Sequence, residues 1–404
     1  NFAKIVSDTY AAFDHPSVAP MRQLGPNDWL LELFHGPTLA FKDYPLQLVG
    51  RLFDDVLNRK GRKVTIVGAT SGDTGSAAIE ACRDRAAIEI FIFHPKGRVS
   101  EVQRRQMTTV QSANVHNIAL EGTFDDCQDL VKALFAHAAF RDRYNLSAVN
   151  SINWARIMAQ IVYYFWAGLS LGAPDRKVTF SVPTGNFGNV FAGYAAHRMG
   201  LPVEKFIVGS NANDILTRYF ETGEMTMADV VPTLSPSMDI QISSNFERLL
   251  FDYYQRDGAS VKKILEQFRR NRRVSFGKAR WRSMGNLFQG HQLGDNETQD
   301  ALAALYHNTG ELIDPHTVIG IKAGQAARAS ASSAALVTSP VVSLATAHPA
   351  KFPDAVEGAT GQRPRLPARL ADLFDREERM VSLHNNIDQV EQYIAGQLEG
   401  SETA

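Results

Sequence analysis

The sequence predicts an α/β protein of two domains, each built on a mostly parallel sheet that is flanked by helices. From Lys63 to about residue 150, apolar strand patterns alternate with helical patterns, and the same alternation resumes at Val178. Repeated strand-helix units are typical of parallel sheets that are covered on both faces. A chain of 404 residues also exceeds one ordinary hydrophobic core, which favours two domains.

The N-terminal half supplies the first set of elements. Residues 1–34 predict a helix, a turn and a short strand, and Pro45–Leu57 place apolar side chains on one helical face. Strands and helices then alternate, with strands at Val64–Val67, Ile88–Phe93 and Val115–Leu120 and helices at Gly75–Asp84, Glu101–Gln111 and Phe124–His137. Ser100 stands three residues before Gln103, and Thr123 stands three residues before Asp126. Both spacings indicate capped helix starts.

The C-terminal half begins with a long apolar helix at Asn153–Leu169. Further strands are predicted at Val178–Val182, Phe206–Gly209 and Val341–Leu344. Further helices are predicted at Gly188–Met199, Asp214–Glu221, Phe246–Arg270, Glu297–His307 and Ile387–Leu398. The stretch Gly361–Arg369 is rich in arginine and proline, which indicates a surface connection.

These elements predict three segments. Residues 1–62 form the N-terminal part of a cofactor domain, residues 63–150 a smaller α/β domain, and residues 151–404 a larger α/β domain with the C-terminal helices. The chain opens at Asn1 without an initiator methionine, inside what looks like a helical segment, so we expect that the sequence starts late.

The composition is that of an ordinary globular protein. Hydrophobic residues make up 44% and charged residues 21%, which permits a large core. Lys and Arg number 42 against 43 for Asp and Glu, so no charge excess indicates a nucleic acid or an anionic membrane as partner. Cys82 and Cys127 have no CxxC neighbour and are typical of buried thiols in a reducing compartment, with no metal site expected. With no membrane-length apolar run and no signal peptide, we expect a cytoplasmic protein.

The segment HGPTLAFKDY places Lys42 among apolar neighbours, after a Gly36-Pro37 turn signal. Desolvation of a lysine charge lowers its pKa and frees the amine as a nucleophile, which is what a Schiff-base lysine requires. For Lys42 taken alone, the alternative is a surface lysine whose stem is covered and whose charged end lies in water.

Two glycine-rich segments follow predicted strands. Ser181–Asn189 (SVPTGNFGN) ends a strand and begins a helix, so its backbone amides and the helix dipole suit an anion such as phosphate. It matches neither the Walker A pattern nor G-x-G-x-x-G, and an ordinary strand-to-helix turn is the alternative. A second junction (GATSGDTGSAA) offers the hydroxyls of Thr70, Ser71 and Thr74 beside exposed amides.

Polar residues also precede the long apolar helix. The segment SINWARI presents Ser151, Asn153 and Arg156, and we interpret these as a site for a substrate phosphate because arginine suits bidentate recognition of phosphate. An ion pair between Arg156 and a structural carboxylate is the equal alternative. For Asp73, the alternative to a ligand contact is a helix N-cap.

Five motifs, in this order along nearly the whole chain, resemble those of the threonine synthase family in the branch shared by many bacteria and fungi. They are HGPTLAFKDY, GATSGDTGSAA, SVPTGNFGN, DPHT at Asp314–Thr317 and ATAHPAKF at Ala345–Phe352. This family belongs to the fold-type II pyridoxal-phosphate (PLP) enzymes, so the resemblance implies a tryptophan synthase β-like fold. Family members also carry an earlier stretch that is absent here.

The resemblance implies PLP as the cofactor and Lys42 as the catalytic lysine that binds it. It implies that the cofactor phosphate is held by one loop, consisting of Gly185, Asn186, Phe187, Gly188 and Asn189. Thr346 would meet the pyridine nitrogen, whereas His348 is interpreted as fixing a turn.

The resemblance also assigns the loop of Thr70, Ser71 and Thr74 to the substrate carboxylate, and Asp73 to the phenolic oxygen of the cofactor. Many PLP relatives have asparagine at the position of Asp73, so this chain departs from the family pattern at that contact. We assign no mechanism to His316 or to the segment SSNFERLL.

The implied reaction converts O-phospho-L-homoserine and water into L-threonine and phosphate, with Lys42 as base at the α and β carbons. A close alternative is another fold-type II lyase, such as a threonine or serine dehydratase or a phospho-amino-acid lyase. A non-catalytic protein that binds PLP or an amino acid is the alternative of another class, against which the retention of Lys42 and both loops argues. The predicted partner is a small-molecule substrate, and the oligomeric state stays open.

Overall fold

The computed structural model describes residues 2–70, 72–148, 150–331 and 333–402. Its strands are β1 (Met21–Gly25), β2 (Asp28–Glu32), β3 (Val64–Ala69), β4 (Ile88–Pro95), β5 (Val115–Glu121), β6 (Leu146–Ser147), β7 (Val178–Pro183), β8 (Val203–Ser210), β9 (Glu224–Thr226), β10 (Arg273–Ser275), β11 (Phe288–Gln292), β12 (Val341–Ala345) and β13 (Val381–His384).

Its helices are α1 (Phe2–Tyr10), α2 (Asp43–Lys60), α3 (Asp73–Cys82), α4 (Glu101–Thr108), α5 (Phe124–Ala136), α6 (Ala138–Arg143), α7 (Trp154–Ser170), α8 (Gly188–Arg198), α9 (Ile215–Thr222), α10 (Phe246–Tyr253), α11 (Gly258–Asn271), α12 (Lys278–Gly285), α13 (Asp295–Thr309), α14 (Pro315–Ala329), α15 (Ala334–Thr338), α16 (Pro353–Thr360) and α17 (Ile387–Glu402). The α/β class is confirmed.

The chain divides into two compact units. Unit 1 consists of Asn1–Asp14, Gly36–Asn153 and Arg365–Ala404, and unit 2 consists of His15–His35 and Trp154–Pro364. This division differs from the three predicted segments, because each unit is assembled from stretches that are distant in the chain.

Unit 1 is built on a five-stranded sheet with the order β13-β5-β4-β3-β6, in which all neighbouring strands are parallel. Its strands alternate between two cores: Ile66 and Ile90 contact a cluster formed with α3, while Val67 and Phe91 contact a cluster formed with α5 and α17. Apolar side chains therefore occupy both faces of the strands, as expected for a parallel sheet covered on both sides.

The last 40 residues of the chain complete unit 1 rather than extending unit 2. Strand β13 pairs with β5 through Val381 opposite Ile118, and α17 buries Val390 and Ile394 in the same core as Phe91. The helix was predicted, whereas β13 was not. Its side chains alternate between half-buried and exposed over only four residues, which leaves a weak strand signal.

Unit 2 contains a six-stranded sheet with the order β1-β2-β12-β7-β8-β11 and a two-stranded ribbon of β10 and β9. Only the β1–β2 pair of the larger sheet is antiparallel. Helix α14 lies against β12, β7, β8 and β11. Helix α14 is not predicted from the sequence, because it is buried on most of its sides and lacks an amphipathic period.

One predicted helix of unit 2 was wrong as a continuous element. Phe246–Arg270 is divided into α10 and α11, because Gln255 and Arg256 adopt left-handed backbone angles with φ of 56° and 65°. Asp257 then starts α11 by accepting hydrogen bonds from the amides of Ala259 and Ser260. Both helices keep apolar residues on one face, so the periodicity continued through the break.

The parallel pairing in unit 2 fixes where the strand-end loops lie. In the register, Val341 of β12 is opposite Thr179 of β7, and Ser343 is opposite Ser181. The segments that follow these two strands, which contain Thr346 and Gly185, therefore leave the same edge of the sheet. Ligands of open parallel sheets bind at this carboxyl edge.

Across the described residues, every helix is too short or too polar to cross a bilayer. Cys82 and Cys127 are free thiols buried in the two cores of unit 1, as predicted. Burial raises the pKa of both thiols to about 12, so they remain protonated and act as small apolar groups.

We predict that Ile394→Ala destabilises the protein by about 2–4 kcal/mol, because Ile394 is fully buried in the core that α17 shares with the sheet of unit 1. Urea unfolding followed by circular dichroism measures the change. Gln397→Ala, an exposed position on the same helix, is the matched control. An equal effect of the two substitutions would show that α17 is not part of that core.

Candidate active site

The lysine loop of unit 1 is locked by its neighbouring aspartate. Both carboxylate oxygens of Asp43 are engaged with Thr38, one accepting from its amide (2.8 Å) and one from its hydroxyl (2.7 Å). A Cβ at Gly36 would lie 2.4 Å from the Cβ of Asp43, so only glycine permits this close turn. The lock fixes the backbone immediately before α2, where Lys42 is the N-cap residue.

Lys42 is directed into unit 1 instead of into solvent. Its side chain is 12% exposed, and its Nζ lies 3.2 Å from Oδ2 of Asp73 and 5.1 Å from the ring centre of Phe41. The surface-lysine alternative is therefore wrong. Because a carboxylate at this distance favours the ammonium form, the ion pair opposes the desolvation on which the sequence argument relied.

Asp73 is not the N-cap of α3, as the alternative interpretation held; Gly72 occupies that position. The carboxylate of Asp73 is 5% exposed, and Oδ1 accepts a hydrogen bond of 2.8 Å from Nε2 of Gln103. Its place in the first turn of α3 is favourable for a negative charge. The pairing of Asp73 with Lys42 and with Gln103 is not evident from the sequence, since about 30 positions separate Asp73 from each of them.

Thr70 holds the loop between β3 and α3 through its side-chain hydroxyl. Its Oγ1 accepts from the amides of Gly72 (3.0 Å) and Gly75 (2.8 Å), which leaves the hydroxyl proton as its remaining donor. Thr74 is half-buried in the first turn of α3. Ser71, the third predicted hydroxyl, lies outside the described residues.

In unit 2, the loop after β7 forms an uncapped helix N-terminus. Phe187 adopts a left-handed φ of 61° as the N-cap of α8, and its side chain makes no capping hydrogen bond to this helix end. The first amides of α8 therefore remain available to an external anion. A Cβ at Gly185 would lie 2.7 Å from the carbonyl oxygen of Ser237, so the loop requires glycine there.

Asn189 presents a buried donor in the first turn of α8. Its Oδ1 accepts from the hydroxyls of Tyr163 (2.6 Å) and Tyr164 (2.9 Å), and burial holds the pKa of Tyr164 well above its usual value. This turns the Nδ2 atom of Asn189 away from α7. Within the described parts of the chain, Nδ2 is buried and has no hydrogen-bond partner.

The segment before α10, to which we had assigned no mechanism, supports this loop. Ser243 donates to the carbonyl of Gly185 (2.7 Å), and Ser244 donates to Oδ1 of Asn186 (3.0 Å). Asn245 donates to the carbonyl of Asn186 through both its backbone and its side-chain nitrogen, at 3.1 Å each. These bonds hold the loop carbonyls outward and leave the amides for a ligand.

A second network fixes Thr346. The carboxylate of Asp314 caps α14 and accepts from the hydroxyl of Thr317, whose oxygen in turn accepts from the amide of Thr346 at 3.2 Å. Nδ1 of His316 lies 2.8 Å from the same carboxylate. The DPHT motif thus has a positioning role that the sequence did not reveal. His348 accepts from the amide of Ala350, which confirms its role in a turn.

Arg156 lies on α7 with its side chain buried in unit 2. Its residue surface is 4% exposed, and neither Nε nor Nη1 has a hydrogen-bond partner among the described residues. Desolvation lowers the pKa of Arg156 to about 10. The alternative of a structural ion pair is not realised within that same set of residues. Ser151 and Asn153 lie in the turn that precedes α7, half-buried.

Each unit, taken by itself, holds groups that suit a phosphorylated cofactor. In unit 2, the loop after β7 offers amides and the buried Nδ2 of Asn189 to a phosphate, and in unit 1 Lys42 offers a shielded amine. The fold and these groups define the class of PLP enzymes. Residues 15–268 match the family described as "Pyridoxal-phosphate dependent enzyme", and residues 317–394 match "Threonine synthase, C-terminal".

Individual relatives narrow the class. The chain is 56% identical to a threonine synthase of Pseudomonas aeruginosa over 98% of its own length and 83% of the relative. It is similar to the crystal structure of PLP-bound threonine synthase from Brucella melitensis (TM-score 0.94, 51% identity) and to that of yeast threonine synthase (0.91, 38%), covering 98% of this chain and 84% of each. Maize serine racemase shares the fold alone, with a TM-score of 0.57 and 14% identity over 85% of this chain and 92% of that chain. The chain belongs to the threonine synthase family.

We predict that Gly185→Ala weakens the binding of PLP about tenfold or more, because the added Cβ meets the Ser237 carbonyl and must displace the loop that we expect to bind the phosphate. Titration with PLP, followed by absorbance, measures the affinity. Gly358→Ala, on an exposed helical position with nothing within 4 Å of the new Cβ, is the control. Unchanged affinity in both variants would remove the loop from the cofactor site.

Proposed function

We propose that this chain converts O-phospho-L-homoserine and water into L-threonine and inorganic phosphate, the last step of threonine biosynthesis. Its similarity to threonine synthases over 98% of its length supports this reaction. The observation that carries the choice of substrate is the buried guanidinium of Arg156, which has unsatisfied donors among the described residues. A buried cation of this kind is stabilised by an anionic ligand, and phosphohomoserine brings a second phosphate besides that of the cofactor.

In this proposal, Lys42 binds the aldehyde carbon of PLP covalently, and residues 185–189 bind its phosphate. Thr346 offers a neutral hydroxyl to the pyridine nitrogen, held in place by the Asp314–Thr317 pair. Asp73 faces the phenolic oxygen. When bound, PLP supplies an electron sink that stabilises negative charge on the substrate carbons next to the nitrogen.

The chain's own groups supply proton transfer and orientation. Lys42 would take protons from the α and β carbons of the substrate and return protons to the γ and α carbons, and Asp73 would stabilise its charged form between these transfers. The loop of Thr70, Ser71 and Thr74 binds the substrate carboxylate. This fixes which bond at the α carbon is aligned for proton removal.

The phosphate-binding group consists of Ser151, Asn153 and Arg156. Its task is to orient the substrate phosphate and to stabilise the charge that develops when the Cγ–O bond breaks. Arg156 suits both tasks because it enters the reaction already desolvated and has two donors to offer. The phosphate would leave with the electron pair of the Cγ–O bond, and water would then add its hydroxyl to the β carbon while its remaining proton passes to the departing phosphate.

We also infer a location in the reducing cytoplasm. The support comes from Cys82 and Cys127, which are both free and buried, so that neither serves as a disulfide staple.

We predict that Lys42→Ala abolishes turnover, because no other group on the loop can bind the cofactor aldehyde or transfer the proton. The test is incubation with phosphohomoserine, identification of the product, and mass spectrometry after borohydride reduction. Lys96→Ala, at an exposed lysine of unit 1, is the control and should retain turnover and the cofactor label at Lys42. Formation of 2-oxobutyrate by the unmodified protein would instead assign it to the dehydratases, and absence of any turnover would favour a binding protein.

We predict opposite effects of Arg156→Met on stability and on substrate use. Removal of a buried, unpaired charge should leave the free energy of unfolding unchanged or raise it by up to about 2 kcal/mol. Loss of the phosphate contact should reduce kcat/KM for phosphohomoserine roughly 10- to 100-fold, while PLP affinity stays the same. Steady-state kinetics, PLP titration and urea unfolding separate these effects. Equal losses of PLP affinity and kcat/KM would show a structural role.

A further inference from the structure

Gln103 connects the N-terminus of α4 to the carboxylate that faces Lys42. Its Nε2 donates to Oδ1 of Asp73 at 2.8 Å, while Oδ2 of the same carboxylate lies 3.2 Å from Nζ of Lys42. The Gln103 residue is 3% exposed, so this hydrogen bond is made away from water. A buried hydrogen bond from a side-chain amide restricts the rotation of the Asp73 carboxylate.

The orientation of the Gln103 amide is itself fixed. Ser100, the N-cap of α4, donates through its hydroxyl to Oε1 of Gln103 (2.9 Å) and accepts from the Gln103 backbone amide (3.3 Å). With Oε1 engaged as an acceptor, Nε2 must be the atom that faces Asp73. Ser100 therefore caps α4 as expected, while the Gln103 side chain bonds the serine hydroxyl and reaches forward to Asp73 of α3.

The loop between β3 and α3 leaves space for this contact. Gly72 has a φ of 140°, and an added Cβ would lie 2.5 Å from Cδ of Gln103. The charged side chains of α4 have partners other than Asp73, since Arg105 pairs with Glu101 and Arg104 pairs with Glu378. The side chain of α4 that bonds Asp73 is therefore a neutral amide, which holds the carboxylate without neutralising it.

We propose that Gln103 is a positioning residue that holds the Asp73 carboxylate against Lys42, with Ser100 fixing the orientation of its amide. Through Asp73, it sets how strongly the Lys42 amine retains its proton before the cofactor binds. Asp43 cannot take over this task, because both of its carboxylate oxygens are engaged with Thr38. The inference rests on Lys42 as the lysine that binds PLP, and it does not depend on which amino acid is produced.

The test uses the full-length protein, freed of cofactor and then mixed with PLP over a range of pH. Borohydride traps the cofactor on Lys42, and peptide mass spectrometry gives the rate of attachment. Only the unprotonated amine reacts, so the midpoint of the pH profile reports its protonation. The position of the label distinguishes failure of the Gln103 proposal from failure of the Lys42 assignment. A label on another lysine in the unmodified protein would overturn the role of Lys42 itself.

We predict that Gln103→Met, which keeps the side-chain volume, shifts this midpoint to lower pH and increases the attachment rate at pH 8 by about tenfold. The reason is that a freed Asp73 carboxylate no longer remains beside the ammonium and stabilises it less. Asp73→Asn should shift the midpoint in the same direction. In the Asp73→Asn background, Gln103→Met should add nothing, because its effect passes through the carboxylate.

Two matched controls distinguish positioning from packing. Gln106→Met removes another buried amide one turn along α4, which bonds the carbonyl of Thr38 and not Asp73, and it should lower Tm without moving the midpoint. Ser100→Ala should give a smaller shift in the direction of Gln103→Met, and Ser100→Thr, which retains the hydroxyl, should restore the original midpoint. These milder changes keep the test decisive if Gln103→Met fails to fold.

The proposal is overturned if Gln103→Met lowers Tm but leaves the midpoint in place, or if it raises the midpoint. It is also overturned if Gln103→Met shifts the midpoint equally in the presence and absence of the Asp73 carboxylate. An unchanged midpoint, or an equal shift without the Asp73 carboxylate, would make Gln103 a packing residue of the α3–α4 contact.

Discussion

The buried charge of Lys42 is the constraint to which the rest of unit 1 is fitted. An ammonium group with only 12% of its side chain exposed requires a compensating partner, and Asp73 provides one at 3.2 Å. Asp73 is then itself a buried charge, and the first turn of α3 and Gln103 stabilise it. The tight glycines around the two loops, Gly36 and Gly72, follow from the need to bring these groups together without intervening water.

Unit 2 differs from unit 1 in its electrostatics, because it buries hydrogen-bond donors where unit 1 buries an ion pair. It presents donors without acceptors: an uncapped helix N-terminus after Phe187, the Nδ2 atom of Asn189 and the guanidinium of Arg156, whose unsatisfied atoms are counted within the described residues. Unpaired buried donors cost free energy in the ligand-free chain, and anions of the right size recover it. Hydrogen bonds from Ser243, Ser244 and Asn245 hold the loop after β7, and the Asp314–Thr317 pair holds Thr346.

The elements that followed a clear period were predicted well, and the failures have identifiable causes. Strands β3, β4 and β5 are short segments rich in β-branched and other apolar residues, and α5 and α17 have one apolar face, so local patterns were sufficient. Helix α14 was missed because burial on most of its sides removes the period, and β13 was missed because it is a short edge strand. The break between α10 and α11 depends on two left-handed residues that periodicity does not reveal.

The sequence by itself determined the chemistry that is available: one lysine in an apolar loop, two strand-loop-helix junctions and an arginine at the start of a long helix, in the order of a known family. These are local properties, since they depend on neighbouring residues and on helix ends. Only the tertiary structure decided the partners. Asp73 against Lys42, Gln103 against Asp73 and Thr317 against Thr346 join positions about 30 residues apart, and the sheet order alone brings such positions together. In the described part of the chain, the same packing buries Nε and Nη1 of Arg156 without a hydrogen-bond partner, an arrangement that depends on long-range contacts and not on the neighbouring residues.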